Sequence, residues 1–179
     1  MNSKYSKITL GGLSGTGKGT IVKLLAEKLG FEKISVGNLL RDLATERHMT
    51  IVELDKLLHD NPEESAKVDK VVDKRTKEYG ESNTNFIIES RLGAHFVPDA
   101  FKILLLCDDR RYERIANREG ISIEKAKQDT LSRESTYHRR YGTLYNLADF
   151  DDPKYYDLVI DTSELTPEEI LNKIIQKIT

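Results

Sequence analysis

A glycine-rich stretch at residues 11–20 constrains the fold of this chain more than any other feature. It reads Gly-Gly-Leu-Ser-Gly-Thr-Gly-Lys-Gly-Thr, after a short apolar run and before an amphipathic one at 21–29. Strand, glycine-rich turn and helix in this order are the context that a phosphate-binding loop needs. Glycines permit positive φ angles and close backbone approach, so successive amide N–H groups can point at one anion. The positive end of the following helix attracts the same anion.

The stretch matches the pattern G-x-x-x-x-G-K-[ST] from Gly12 to Lys18 and departs from it at Gly19. Lys18 carries a compact charge that can reach the terminal phosphates of a nucleotide. A hydroxyl comes one residue late, at Thr20, so we expect Mg²⁺ to be held mainly by phosphates and water, with weak help from Thr20. The alternative is a glycine-rich turn without a ligand, which five glycines and a lysine within ten residues disfavour. The predicted phosphate contacts are Gly12, Leu13, Ser14, Gly15, Thr16, Gly17, Lys18, Gly19 and Thr20.

Bulk composition limits the class of protein. The chain has 179 residues, which suits one domain, and its net charge of −2 favours neither nucleic acid nor membrane as a partner. The single cysteine, Cys107, excludes an internal disulfide, and the four histidines show no metal-ligand spacing. Because we find no apolar signal core and no run of membrane-spanning length, we expect a cytoplasmic protein, with a monomer slightly favoured.

Short apolar runs alternate with amphipathic helical runs along the chain. Strands are predicted at 7–11, 31–35, 86–89, 101–106 and 158–160, with helices between them and after the last. The alternation predicts an α/β fold with five parallel strands between two helical layers, the three-layer sandwich of P-loop NTPases. We expect one domain, 1–179, in which two helical insertions overhang the carboxyl ends of the strands. These are an acceptor-binding insertion at about 37–80 and a lid at about 119–146.

Arginine is spread unevenly, since seven of the eleven arginines lie between positions 110 and 140. Arg41 follows the second strand and Arg91 the third, so both fall at the carboxyl edge of the sheet. Arg114 and Arg118 share a helix face. The second insertion carries Arg133, Arg139 and Arg140. The planar arginine fork bonds two phosphate oxygens at once, which suits a site where two polyanions meet. Solvated surface positions are expected for Arg47, Arg75 and Arg111.

The residues after the second strand bear on the phosphoryl acceptor. They read Ser35-Val36-Gly37-Asn38, without the carboxylate that a kinase acting on a hydroxyl usually needs as a base. A phosphate acceptor is already a nucleophile at neutral pH, so the sequence favours transfer to a phosphate. Glu89 ends the third strand, where it can orient magnesium-bound water; a helix cap or a salt-bridged strand end is the alternative. Polar candidates for reading the acceptor base are Asn38, Asp69 and Asp73.

Several segments resemble nucleoside monophosphate kinases, and among them the short cytidylate kinases of the archaeal type most of all. They cover nearly the whole chain: the loop, Ser35-Val36-Gly37 with Arg41, and the segments 86–92, 113–122, 133–135 and 156–162. The Lys-Gly-Thr ending of the loop is similar to adenylate kinases, where glycine also replaces the magnesium-binding hydroxyl. Lys18 is a departure from the archaeal cytidylate group, which often lacks that lysine.

On the donor side, the resemblance implies ATP and Mg²⁺ as cofactors. It implies that Lys18 and the loop amides hold the β- and γ-phosphates. Arg114 matches the arginine that stacks on adenine, and Arg118 matches the one that follows phosphate.

On the acceptor side, the resemblance implies small-molecule nucleotides, CMP or dCMP, as substrates. Arg41 and Arg91 match the pair that clamps the acceptor monophosphate, and Ser35 would line its site. Arg133, with Arg139 or Arg140, would belong to the closing lid. The implied catalytic set is Lys18, Arg91, Arg118 and Arg133.

Other functions stay open on the sequence. An adenylate kinase or a broad-specificity nucleotide kinase is the nearest alternative. A hydroxyl kinase of the dephospho-coenzyme A or shikimate type is disfavoured by the missing acceptor-site carboxylate. From another class, the chain could be an ATP-binding switch or an RNA-associated factor that transfers no phosphate.

Overall fold

Five parallel strands form the centre of the molecule. The computed structural model describes residues 3–179, apart from the side chains at positions 51, 52, 55, 56 and 59. The strands are β1 (Lys7–Gly12), β2 (Glu32–Ser35), β3 (Phe86–Glu89), β4 (Phe101–Leu106) and β5 (Leu158–Asp161). They lie in the order β2-β3-β1-β4-β5, and every pair is parallel. The predicted five-stranded parallel sheet is therefore confirmed.

Helices connect the strands and cover both faces of the sheet. They are α1 (Lys18–Leu29), α2 (Val36–Glu46), α3 (Ile51–Asp60), α4 (Pro62–Ser82), α5 (Gly93–Phe96), α6 (Arg110–Glu119), α7 (Ile123–Tyr145) and α8 (Pro167–Ile178). Capping boxes begin α3 and α8, as Thr50 with Glu53 and Thr166 with Glu169. In each, the threonine oxygen accepts from a backbone N–H and the glutamate accepts from the threonine N–H, which stabilises the first turn.

The core follows the alternation of side chains along the strands. Ile87 of β3 points to the face that α1 and α8 cover, together with buried residues of β1, β4 and β5. Its neighbours Phe86 and Ile88 point to the other face, against Val97 and the ring of Tyr79 from α4. Because β1 is buried on both sides, the glycine-rich stretch that follows it starts from a rigid position.

The chain departs from the predicted boundaries mainly after β3 and around the lid. The short helix α5 was not predicted, and α7 continues to Tyr145, whereas the glycine at position 142 predicts a helix end near 141. Gly142 stays helical, since Asn146 takes the left-handed C-cap conformation with φ 57°. Within residues 3–179, no helix has the length and apolar content that a membrane span requires.

Candidate active site

The turn between β1 and α1 requires glycine at two positions. Gly12 has φ 136°, and a Cβ there would lie 2.4 Å from the carbonyl oxygen of Leu105. Gly15 has φ 83°, and its Cβ would lie 2.5 Å from the carbonyl oxygen of Arg111. Any side chain at either position would collide with backbone and strain the turn. The turn is thus held against β4 and α6 while its amides remain at the N-terminus of α1.

Lys18 lies at the start of α1 and folds back over the turn. Its Nζ donates to the carbonyl oxygen of Leu13 at 2.7 Å. The pKa of Lys18 is lowered to about 8, mainly by burial and then by the positive charges of Arg91 and Arg118, while the carboxylates of Glu89 and Glu134 oppose the shift. A buried ammonium group whose charged form is disfavoured in this way is stabilised by an incoming polyanion.

Glu89 faces the beginning of α1 from the end of β3. A Cβ on Gly19 would lie 3.8 and 4.0 Å from the two carboxylate oxygens of Glu89. Among the described residues this carboxylate has no ion pair, so the alternative of a salt-bridged strand end is not what the fold contains. The described residues also contain no group of three or more His, Cys, Asp or Glu side chains that could hold a metal ion. A divalent cation here fits only with Glu89 on one side and phosphate or water oxygens for the rest.

Arg91 lies just after β3 and stacks on an aromatic ring. Its Cζ is 4.0 Å from the centre of the Tyr137 ring of α7. Its Nε is buried without a hydrogen-bond partner. Among the described residues no carboxylate pairs with this guanidinium. Because Arg91 is also close enough to lower the pKa of Lys18, the two cations flank one anion-binding space.

The lid arginine Arg140 contacts α4 instead of solvent. Its Nε lies 2.9 Å from Oδ2 of Asp69, and its Nη1 donates to the Ser65 hydroxyl at 2.6 Å. One and a half turns along α7, Tyr145 donates to Oδ2 of Asp73 at 2.6 Å. The C-terminal half of α7 is therefore joined to the middle of α4 by charged and polar contacts.

The arginines of α6 lie on the donor side of the turn. Arg114 is half-buried, and its Nη2 donates to the carbonyl oxygen of Thr162 at 2.8 Å, just past β5. The hydroxyl of Thr162 lies 3.1 Å from the carbonyl oxygen of Thr16, which ties this segment to the turn. Arg118 is exposed and pairs with Glu119 at 2.7 Å. It still acts on Lys18 through its charge.

The remaining predicted site residues are placed less tightly. Ser35 caps α2, since its hydroxyl oxygen accepts from the N–H of Asn38 at 3.2 Å. Arg41 is exposed, and its Nη1 donates to Oδ1 of Asn38 at 2.7 Å beside a cavity of about 320 Å³.

Arg133 and Arg139 are both exposed on α7. Thr20 is exposed as well, in the first turn of α1. In this conformation Lys18 and Arg91 are together, whereas Arg41 and the two outer lid arginines project into solvent.

Comparison with known proteins identifies the family. The model of one family, described as cytidylate kinase-like, matches residues 7–164. The chain belongs to the cytidylate kinase-like family. It is 36% identical to the cytidylate kinase of Archaeoglobus fulgidus over 174 residues, which is 96% of this chain and 94% of that protein. It is 40% identical to the cytidylate kinase of Methanocella arvoryzae over 158 residues, covering 88% and 87% of the two chains.

A solved structure shows the same fold outside this family. Shikimate kinase from Acinetobacter baumannii superposes with a TM-score of 0.64 at 15% identity, over 98% of this chain and 93% of that one. At this identity the likeness concerns the P-loop kinase fold alone. The resemblance predicted from the sequence, to nucleoside monophosphate kinases and to the archaeal cytidylate kinases among them, is confirmed by the family match.

One expectation about this cytidylate kinase-like protein was wrong. Arg111 was expected to be a solvated surface residue, but it is buried at 7% exposure. Its guanidinium binds both carboxylate oxygens of Glu134, at 2.6 and 3.0 Å. The partners are 23 residues apart on different helices, so no local spacing could reveal the pair. The sequence also did not predict the stacking of Arg91 on Tyr137, because the two residues are 46 positions apart and no local pattern links them.

Proposed function

We propose that the protein transfers the terminal phosphoryl group of ATP to the phosphate of a nucleoside monophosphate, with CMP and dCMP as the preferred acceptors. An oxygen of the acceptor phosphate forms a bond to the γ-phosphorus as the bond from that phosphorus to the β-phosphate oxygen breaks. The products are ADP and CDP or dCDP. The observation that supports this best is the pairing of two cations, Lys18 and the carboxylate-free Arg91, beside the glycine-rich turn.

The donor half of the reaction rests on the turn and on α6. The amides at the start of α1 and the Lys18 ammonium would hold the β- and γ-phosphates of ATP, where they stabilise the charge that develops on the transferred group. Arg114, held just past the end of β5, would contact the adenine, and Arg118 would follow the phosphates. Mg²⁺, when bound, would neutralise charge between the β- and γ-phosphates, and Glu89 would orient its water.

The acceptor half rests on Arg91. Its guanidinium plane is held by Tyr137, so the fork can bind the acceptor phosphate without first ordering the side chain. Arg41 and Ser35 would complete this site when the acceptor binds. The lid residues Arg133 and Arg139 would approach on closure, which also excludes the water that competes as acceptor.

The proposal is tested by a coupled ADP-release assay with CMP, dCMP, UMP, AMP and GMP. We expect CMP and dCMP to be phosphorylated with the highest kcat/KM, and AMP as the sole substrate would overturn the cytidylate assignment. Arg91→Ala should retain ATP binding and lose transfer. If no monophosphate is phosphorylated while ATP still binds, the protein is an ATP-binding switch or RNA-associated factor. A cytoplasmic location and a monomeric state stay predictions of the sequence.

A further inference from the structure

The interface between α4 and α7 contains buried polar atoms that the fold leaves without good partners. Three of the five such side-chain atoms among the described residues are here: Oδ2 of Asp69, Nε of Arg140 and Nε of Arg91. Asp69 and Arg140 form a close ion pair at 2.9 Å, but the N–H of Arg140 does not point at the oxygen. Buried polar atoms in native proteins are nearly always hydrogen-bonded, so the misaligned pair of Asp69 and Arg140 and the Nε of Arg91 retain unused hydrogen-bonding groups.

The cluster is continuous with the proposed acceptor phosphate site. The Tyr137 ring lies 4.0 Å from Cζ of Arg91 and 5.6 Å from Cζ of Arg140. Arg140 therefore shares the Tyr137 ring with the guanidinium that would bind the acceptor phosphate, and Asp69 lies directly behind Arg140, 2.9 Å from its Nε. The pKa of Asp69 is raised by burial, and the positive charges of Arg140 and then Arg91 oppose this rise in part. Arg91 is therefore close enough to act on the Asp69 carboxylate. A nucleoside attached to the phosphate at Arg91 can reach this carboxylate.

We propose that Asp69 determines the acceptor base by accepting a hydrogen bond from the exocyclic amino group of cytosine, and that Arg140 is a positioning residue that aims its carboxylate. This inference rests on the proposed function. Cytosine presents an amino donor at N4, which a carboxylate accepts. Uracil presents an acceptor oxygen at the same place, and a carboxylate facing it would leave both groups unpaired in a partly buried site. The two bases differ at position 4 and at N3, which accepts in cytosine and donates in uracil, and the exocyclic group at position 4 is the one that this carboxylate would contact.

The neighbouring acid Asp73 offers a matched control. It lies one turn further along α4 and faces the same helix, but its Oδ2 already accepts from the Tyr145 hydroxyl at 2.6 Å. Asp73 therefore has a partner within the protein, whereas Oδ2 of Asp69 lacks an aligned one. Replacing either acid by its amide keeps the side-chain shape and removes one charge from the same interface.

The test compares kcat/KM for CMP and for UMP in the full-length protein and in the variants Asp69→Asn, Asp73→Asn and Arg140→Lys. The asparagine amide can donate to the uracil oxygen, so Asp69→Asn should lower the ratio of CMP to UMP by about tenfold or more, the range for one base-specific contact. Asp73→Asn should leave this ratio unchanged whatever it does to each rate. Arg140→Lys should raise KM for CMP more than it lowers kcat, because it disturbs the aim of Asp69 and not the reacting atoms.

The ratio of kcat/KM for CMP to that for UMP distinguishes base recognition from a purely structural role of the ion pair. A loss of folded protein would lower the rates with CMP and with UMP equally and leave this ratio unchanged. An unchanged ratio in Asp69→Asn would overturn the inference and leave the proposed kinase function intact. Equal phosphorylation of CMP and UMP by the unaltered protein would overturn it as well. If the unaltered protein phosphorylates no pyrimidine monophosphate, the proposed function itself fails.

Discussion

Arg111 and Glu134 form a bidentate ion pair that joins α6, beside the glycine-rich turn, to α7. The two N–O distances are 2.6 and 3.0 Å, and the side chains are 9% and 6% exposed. The backbone carbonyl of Arg111 packs on Gly15 of the turn, while Glu134 belongs to α7. A closely packed interior leaves a buried ion pair few other positions to adopt. The position of α7 is therefore coupled to that of the turn through this contact.

Removing the acidic partner should be strongly destabilising. Glu134→Gln leaves the buried guanidinium of Arg111 without its counter-charge, which we expect to lower the free energy of unfolding by about 3–5 kcal/mol. Urea denaturation measures it. The exposed pair of Lys125 and Asp129, at 2.8 Å within α7, is the control, and Asp129→Asn should cost below about 1 kcal/mol. An equal decrease in the free energy of unfolding in the two variants would show that the buried pair contributes no more to stability than the exposed one.

The glycines of the turn should differ sharply in their tolerance of a methyl group. Gly12→Ala places a Cβ 2.4 Å from a backbone oxygen at positive φ, so the free energy of unfolding should fall by at least about 1–3 kcal/mol. Gly19→Ala adds a Cβ 3.8 Å from Glu89 inside a helix, and it should be neutral or stabilising by up to about 1 kcal/mol. Thermal unfolding of both variants checks this contrast. A stable Gly12→Ala protein would contradict it.

ATP binding should take up a proton at alkaline pH. The pKa of Lys18 is lowered to about 8 by burial and nearby arginines, so in the free protein the ammonium is lost as pH rises through 8. Phosphates favour the ammonium and raise this pKa in the complex, so affinity should fall as pH rises above about 8. Calorimetry at about pH 9 in two buffers of different ionisation enthalpy measures the proton uptake.

The matched control for that measurement is Lys18→Arg. A guanidinium stays protonated at about pH 9, so its binding should take up no proton at this site. If the arginine variant takes up the same fraction of a proton as the unaltered protein, Lys18 is not the group that is protonated when ATP binds.

At neutral pH, the protein with Asp73 should be less stable than the Asp73→Asn variant. Burial raises the pKa of Asp73 to about 6, against the hydrogen bond from Tyr145 that lowers it. The folded state thus keeps a proton between about pH 4 and 6 that the unfolded state has lost, so the contribution of Asp73 to stability falls as pH rises through this window. At about pH 7.5, Asp73→Asn should raise the free energy of unfolding by up to about 3 kcal/mol.

The gain should largely vanish at about pH 4.5, where Asp73 is protonated in the folded protein. Urea denaturation at the two pH values gives the comparison, with the exposed Glu27→Gln as a control that should change little at either. A gain of the same size at both pH values would mean that ionisation of Asp73 is not the cause.

Much of the donor side was predictable because its signals are local. A strand, a glycine-rich turn and a helix are adjacent in the chain, and the backbone geometry that binds an anion is set by residues 12–18 themselves. The parallel sheet followed from the alternation of strands and helices, and Gly12, Gly15 and Gly17 of the predicted turn take positive φ angles. The end of α7 was missed because Gly142 is tolerated inside the helix, where it packs on Ala148.

For the proposed acceptor site, the sequence predicted which charged residues are available but not which of them contact one another. The sequence by itself determined that Arg91 follows β3, that seven arginines gather between positions 110 and 140, and that Asp69 and Asp73 lie one helical turn apart. The tertiary structure decided which of these charges meet: Arg91 with Tyr137, Arg140 with Asp69, and Arg111 with Glu134. An ion pair or a stacking contact depends on how two separate elements pack, and no spacing along the chain specifies that distance. The partners of Arg91, Arg140 and Arg111 therefore depend on the tertiary structure, although all three are the same residue type in the sequence.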